Sequence, residues 1–199
     1  MRRKILSAVL MTTLCLLCAC AGRGSDPVQT PLDFRAALLA NDGCAFELEA
    51  VAETDGLCWP LTLACALDAE GCGTVTVLAP ESIAGITARL TEDGATLTYD
   101  DLALGLGLLS GTEQTPAAAP GLLARAWSKF WIASAGAEGE GLRAVFEEGG
   151  LRADTWFDGA GLPLRAVLSL DGKAYFTAEI RNFTWKAGTE HETTQENLG

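Results

Sequence analysis

CAFELEAVAETDGLCWPLTLACALD, residues 44–68, sets an apolar side chain at every second position on each side of a turn signal. Cys44, Phe46, Leu48 and Ala50 fall on one face of the first run, and Glu47 and Glu49 on the other. Leu57, Trp59, Leu61, Leu63, Cys65 and Leu67 share one face of the second run. A period of two marks a strand buried on one side, because successive Cβ atoms point to opposite faces of a sheet. Thr54-Asp55-Gly56 supplies the turn, so the segment reads as an antiparallel hairpin with one wet and one apolar face.

The same pattern continues outward. TVTVLAP, ITARLTE and ATLTYDDLAL follow, with Glu92-Asp93-Gly94 turning between the last two. Then come LRAVFEEGG, LRADTWFDG, LPLRAVLSLDG and KAYFTAEIRNFTWKAG, with Asp158-Gly159 and Asp171-Gly172 as hairpin signals. The count is about nine strands, mostly antiparallel. Two amphipathic helices flank or interrupt them. TPLDFRAALLANDG has Thr30 as N-cap and Pro31 at the first helical position, with Leu32, Phe34, Ala37 and Leu38 on one face. APGLLARAWSKFWIASA carries Leu123, Trp127, Phe130 and Trp131 at helical spacing, opposite Arg125, Ser128 and Lys129. GLGLLSGTEQTPAAAP, residues 105–120, reads as a loop that could form a lid or rim. A large one-faced sheet with two such helices implies a mainly β fold. The expectation is a strongly curved, unclosed antiparallel sheet whose concave face the helices cover.

The chain has 199 residues, 49% of them apolar, and a net charge of −12. That length and composition support one folded domain with a sizeable core. Strong acidity opposes binding to nucleic acid, which needs clustered Lys and Arg. Residues 1–19 hold Arg2, Arg3 and Lys4 and no acid, so the remainder stands at −15.

MRRK followed by ILSAVLMTTLCLLCA is a basic n-region and an apolar h-region. About 15 apolar residues are too few to span a bilayer, which takes about 20. Leu17-Cys18-Ala19-Cys20 resembles the bacterial lipobox, with Cys18 where Ala, Ser or Thr is more usual. The resemblance implies cleavage before Cys20, a diacylglycerol on its thiol with palmitate as an acyl chain, and a protein anchored on the extracytoplasmic face of the cell membrane. Two acyl chains suffice for stable anchoring. Residues 20–30 then form a flexible tether, 31–186 the folded domain and 187–199 a polar tail.

TVTVLAPESIAGITARLTEDGATLTYDDLAL, with an apolar strand entering Pro80-Glu81 and a hairpin closing in TYDDL, resembles the LolA/LolB-like lipoprotein-carrier superfamily. GLPLRAVLSLDGKAYFTAEIRNF resembles the closing hairpin of that group, its small Gram-positive lipoproteins above all. The resemblance spans roughly residues 33–185 and implies an unclosed curved sheet with helices in its mouth. It also implies an apolar cavity for acyl chains or other hydrophobic ligands, and no catalytic residues.

The candidate ligand-binding residues are Phe46, Leu48, Trp59, Leu61 and Leu63 on the sheet side, with Trp127, Phe130 and Trp131 on the helix side. The plainer account of the same aromatics is that they fill the core of the curved sheet. Cys44, Cys58, Cys65 and Cys72 are spaced 14, 7 and 7 apart, unlike the paired ligands of structural zinc sites. If the first hairpin turns over Glu53–Gly56 and pairs Ala52 with Leu57, Cys44 stands opposite Cys65. The two then form a disulfide in an exported protein, or serve as small core residues. His191, the single histidine, lies in the tail, so no Ser-His-Asp or Cys-His site can be built on it. No metal site, cofactor motif or catalytic set is expected. Two functions stay open: a membrane-tethered, non-enzymatic binder of a lipid or other amphiphile, and an interaction or sensor module with a filled core and an envelope protein partner.

Overall fold

The computed structural model describes residues 26–186 apart from 55, 101 and 108–114. The signal segment, Cys20, His191 and the tail lie outside the described residues. Eleven strands form one antiparallel sheet. They are β1 Cys44–Thr54, β2 Leu57–Leu67, β3 Gly73–Ala79, β4 Thr87–Thr91, β5 Gly94–Tyr99, β6 Leu102–Gly107, β7 Trp131–Glu138, β8 Gly141–Glu148, β9 Leu151–Phe157, β10 Pro163–Leu170 and β11 Lys173–Trp185. Helix α1 spans Gln29–Ala40 and α2 spans Ala119–Lys129. The strand order is β6-β5-β4-β3-β2-β1-β11-β10-β9-β8-β7, so the sheet is open, with β6 and β7 at its edges. Two meanders meet at a central β1–β11 seam.

The expected architecture is present, with two more strands than the sequence count. TYDDL is a turn rather than continuous strand and divides β5 from β6. The second helix stops at Lys129, where Phe130 adopts extended backbone (ψ 154°), and Trp131 opens β7. Trp131 therefore leaves the helix; the 127/130/131 spacing that mimics a helical face straddles the junction. The first helix starts earlier than expected. Its N-cap is Val28, not Thr30, and Asp26 Oδ1 accepts from the Val28 N–H. Helix thus begins within the stretch expected to be tether, and Leu32 faces solvent while Pro31, Phe34 and Leu38 are buried.

The first hairpin is tighter than expected. Thr54 pairs with Leu57 across a two-residue Asp-Gly turn, with Gly56 at φ +77°. Asp-Gly is a favoured pair for a two-residue hairpin connection. Ala52 therefore pairs with Trp59, and Cys44 faces Leu67 while Cys65 faces Phe46. Cys44 and Cys65 become diagonal neighbours, for which Cα atoms stand about 7–8 Å apart. A disulfide usually needs less than about 6.8 Å. Both thiols are free, and the expected bridge is not formed.

Two other turns use an Asp side chain. Asp68 Oδ1 accepts from the Glu70 and Cys72 N–H groups, and Asp158 Oδ1 from those of Ala160 and Leu162. Asp158-Gly159 thus builds a longer loop than a two-residue hairpin. Asp171-Gly172 does make the tight turn, pairing Leu170 with Lys173.

Register fixes the two faces. A row of small side chains crosses the inner face: Ala50 (β1), Ala178 (β11), Ala166 (β10), Thr155 (β9), Ala144 (β8) and Ala135 (β7) are successive partners. With little side-chain bulk in that row, a helix can lie close to the sheet. Helix α2 occupies the space, contacting β8, β9, β10 and β2.

Candidate functional site

The inner face divides into a filled half and an open half. The filled half is built on the row of small residues. Trp127 of α2 is fully buried there and donates its Nε1–H to Thr155 Oγ1 at 2.9 Å. Its ring meets Phe34 of α1 edge-on at 5.4 Å and Phe46 of β1 at 5.7 Å. Phe46 stacks on Phe183 at 6.0 Å, and Phe183 packs edge-on against Trp185 at 4.9 Å.

Polar bonds hold the helices in place. Arg35 of α1 donates to the Trp127 carbonyl at 2.7 Å and the Phe130 carbonyl at 2.6 Å. These are carbonyls at the end of α2 that have no partner within the helix. Burial lowers the pKa of the Arg35 guanidinium from its ordinary value. Ser128 Oγ donates to the Ala69 carbonyl, tying α2 to the β2–β3 turn. Backbones touch at the same place: a Cβ on Gly121 would come 2.6 Å from the Gly71 carbonyl oxygen.

The open part of the inner face lies on β5–β6 and at the β1–β2 turn end of β2, since Leu63, Leu67, Val75, Ala88 and Leu90 on the same face of β2–β4 are buried. On β5, Ala95, Leu97 and Tyr99 share the inner face, with Leu104 and Leu102 of β6 opposite Leu97 and Tyr99. Across from β5, Leu90 and Ala88 of β4 pair with Ala95 and Leu97. Towards the β1–β2 turn, Leu57, Trp59 and Leu61 hold the same face of β2. Leu90 lies against α2 at Gly121, but the side chains farther out are uncovered. Leu57 is 59% exposed, Trp59 54%, Tyr99 47%, Leu102 77% and Leu104 61%. Leu61, Val77 and Leu97 are half-buried and form the border with the core. From Gly94 to Tyr99 the furrow runs along one strand, a length of about 17 Å at about 3.3 Å per residue. Its end near α2 opens into a cavity of about 330 Å³, whose walls include Leu90, Ala95, Leu122, Arg125, Glu92 and Glu70.

The sequence-named residues therefore separate. Phe46, Leu48, Leu63, Trp127 and Phe130 are buried in the filled half. Leu61 borders the furrow and Trp59 stands in it. Trp131 is 77% exposed and pairs with Glu147, placing it on the outer face, away from Trp127 and Phe130. Leu97, Tyr99, Leu102 and Leu104 were not singled out from the sequence. Their alternation is legible only once the Tyr99–Leu102 turn is placed, since Asp100-Asp101 interrupts the period.

The outer face carries a charge ladder. Asp154 is buried beneath Arg143 and Arg152, accepting from Arg143 Nε at 2.9 Å and Arg152 Nε at 2.7 Å. Burial alone would raise the Asp154 pKa; the hydrogen bonds and charges of Arg152 and Arg143 bring it below its ordinary value. Trp156 lies between the Arg143 and Arg165 guanidiniums at 5.2 and 4.9 Å and donates to Glu138 Oε1. These groups satisfy one another. Among the described residues no group of three or more His, Cys, Asp or Glu could hold a metal ion.

No family model matches the sequence, and no curated protein matches it. Solved structures do resemble it. A LolA superfamily protein from Nitrosomonas europaea aligns at 9% identity and TM-score 0.47, covering 79% of this chain and 93% of that one. An uncharacterized conserved protein from Thermus thermophilus aligns at 14% identity and TM-score 0.46, covering 83% and 91%. The Mycobacterium tuberculosis lipoprotein LppX aligns at 14% identity and TM-score 0.39, covering 79% and 92%.

Proposed function

We propose that this chain is a non-enzymatic envelope lipoprotein that holds one acyl chain of a lipid or other amphiphile in the furrow along β5–β6. The observation that carries the reading is the grouping of Tyr99, Leu102 and Leu104, exposed on the inner face of β5–β6 where Tyr99 pairs with Leu102 and Leu97 with Leu104. Scattered surface leucines are ordinary, whereas a contiguous apolar patch marks a binding surface. The furrow length of about 17 Å is close to half of the ~30 Å hydrocarbon core of a bilayer, the depth of one acyl chain. About ten buried methylenes at ~0.8 kcal/mol each give a gross ~8 kcal/mol, reduced by the cost of association.

In this proposal residues 1–19 are a signal segment and Cys20 carries the lipid. The stretch before α1 tethers the domain outside the membrane, as in Gram-positive lipoproteins. Of the eight sequence-named side chains, Trp59 and Leu61 touch ligand, Phe46, Leu48, Leu63, Trp127 and Phe130 shape its support, and Trp131, on the outer face, takes no part. The packed half of the concavity favours a second reading, an interaction module that binds an envelope protein. It predicts no lipid in the furrow.

The test uses cells producing the full chain and fed a diazirine fatty acid. After irradiation, crosslinks are expected on peptides of β5–β6 and the β1–β2 turn. Leu97→Glu and Leu104→Glu should abolish them, while Val51→Glu, on the outer face of β1, should not. Crosslinks confined to outer-face peptides, or to none outside the Cys20 peptide, overturn the lipid reading. For the anchor, Cys20→Ala should eliminate palmitate labelling and release the protein from membranes; continued anchoring refutes it.

A further inference from the structure

We propose that the free edge of β6 is a self-association surface, on which a second copy of this chain pairs its own β6 antiparallel about a two-fold axis. The pairing goes beyond the acyl-chain reading above and does not depend on it.

Strand β6 ends the sheet, so alternate backbone N–H and C=O groups of Leu102–Gly107 have no strand partner among the described residues. Such a row is a template for another strand, and proteins commonly guard it with a charge, a proline or a bulge. The opposite edge is guarded: β7 shifts register between Ile132 and Ser134 and ends in Glu138. Strand β6 has no such device. LALGLG, residues 102–107, holds no charged residue and no proline, and its pairing with β5 runs without a break from Leu102 to Gly107.

Gly105 points to what covers this edge. A Cβ added there would meet nothing within 4 Å, and its φ lies outside the left-handed region. Neither packing within the chain nor backbone conformation calls for glycine at this position. Glycine inside a strand marks a bulge, a sharp bend or the close approach of another backbone. The unbroken β5–β6 register and ordinary φ leave the last of these.

Symmetry and charge select a second copy as the occupant. Antiparallel pairing centred on Leu104 sets Leu104 opposite Leu104 of the second copy, Leu102 opposite its Leu106, and Ala103 opposite its Gly105. Directly opposite residues share a face, so leucine meets leucine on the inner face and small meets small on the outer one. A two-fold interface requires this self-complementarity. Copies at −12 repel one another, yet no acid stands opposite an acid in this joint. The two Asp100 residues lie eight register positions apart, about 26 Å at ~3.3 Å per residue. The Glu92-Asp93 turn of one copy is two strand spacings, about 10 Å, from the β5–β6 turn of the other. Both separations exceed the Debye length of about 8 Å in physiological salt. One short strand per copy buries less than the ~800 Å² per partner of a standard interface. The pair is therefore weak in dilute solution and is favoured where a shared tether concentrates the copies.

The test uses intact cells producing the full chain with Cys58→Ser, which removes the exposed native thiol. Leu104→Cys then places two thiols at opposite positions, with Cα atoms about 4.5–5.5 Å apart, inside the range a disulfide accepts. After mild oxidation with copper phenanthroline, Leu104→Cys should give at least about fivefold more covalent dimer than either of two controls. These are Leu102→Cys, whose own partner position is about 13 Å away along the joint, and Val51→Cys on the outer face of β1. Ala103→Lys, a charge set on the edge, should cut the Leu104→Cys dimer by a similar factor. Ala103→Cys co-produced with Gly105→Cys reads the same register from the outer face and should also crosslink. Equal dimer from Leu104→Cys and both controls reports random collision and overturns the pairing, as does absence of dimer from both placements. An adduct of Leu104→Cys with a different protein gives the edge to a foreign strand and overturns the second copy. The diazirine crosslinks of the acyl-chain test are read separately, so either result can fail without the other.

Discussion

Trp127→Phe tests how α2 is held in the sheet. The substitution keeps an aromatic ring against Phe34 and Phe46 but deletes the indole N–H that Thr155 Oγ1 accepts at 2.9 Å. Trp127 and Thr155 are both at 0% exposure, so water cannot replace the lost donor. A buried acceptor left without its donor costs about 1–3 kcal/mol. The smaller ring leaves a void that adds roughly another 1 kcal/mol. The sum is about 2–4 kcal/mol, a large share of a typical 5–15 kcal/mol total. At about 2–4 °C per kcal/mol for a chain of this size, the midpoint of thermal unfolding should fall by about 4–16 °C. The assay is chemical and thermal denaturation of the full chain with Trp127→Phe, Thr155→Val and the double variant. Because the hydrogen bond is shared, the double variant should lose clearly less than the sum of the two singles. Additivity within ~0.3–0.5 kcal/mol would show that this bond does not hold the helix, and the account of the filled half would be wrong.

Three further expectations follow from the same geometry. Gly121→Ala gains up to about 1 kcal/mol of helix propensity but forces α2 off the Gly71 backbone, an overpacking worth about 1–3 kcal/mol. The variant should be less stable by roughly 1 kcal/mol, and equal or higher stability in urea melts refutes the contact. Asp154 has a lowered carboxyl pKa in the folded chain. Its stabilisation is therefore present above the ordinary Asp value of about 3.9 and lost as pH falls through the lowered one. Against Asp154→Asn, the native chain should lead by about 2 kcal/mol at pH 7 and lose that lead progressively as pH falls below about 3.9; a lead that does not shrink with acid contradicts the ladder. Among the four domain thiols, exposed Cys58 should alkylate first. Burial pushes Cys44 up to about 12 and raises Cys65 further, so both should react only on unfolding. Fast labelling of Cys65 in the native state, read peptide by peptide, would refute that burial.

Period-two alternation in residues 44–68 was enough to place Phe46, Leu48, Trp59 and Leu61 on one face, because a strand allows only two faces. The register between the strands was less legible. It depended on whether Asp55-Gly56 turns as two residues or four, and that difference moved Cys44 from Cys65 to Leu67. The α2–β7 junction was missed because Trp127, Phe130 and Trp131 satisfy a helical period although the backbone changes at Phe130. The open furrow could not be read at all. Whether Leu97 or Leu104 is covered depends on where α2 lies, and that is set by the cross-strand row of small residues, which no single segment shows. Arg35 was similarly silent, since its partners, the Trp127 and Phe130 carbonyls, are 92 and 95 residues away.

The β1–β11 seam has a kinetic consequence. Other strand pairings join sequence neighbours, whereas this one must bring residues 44–52 to residues 176–185. Long loop closures are entropically expensive before any contact rewards them. Each meander can therefore zip up early, leaving two half-sheets whose central edges are bare until they dock. The slow step of maturation is that docking, and a newly made copy is most prone to clump with its neighbours during that wait.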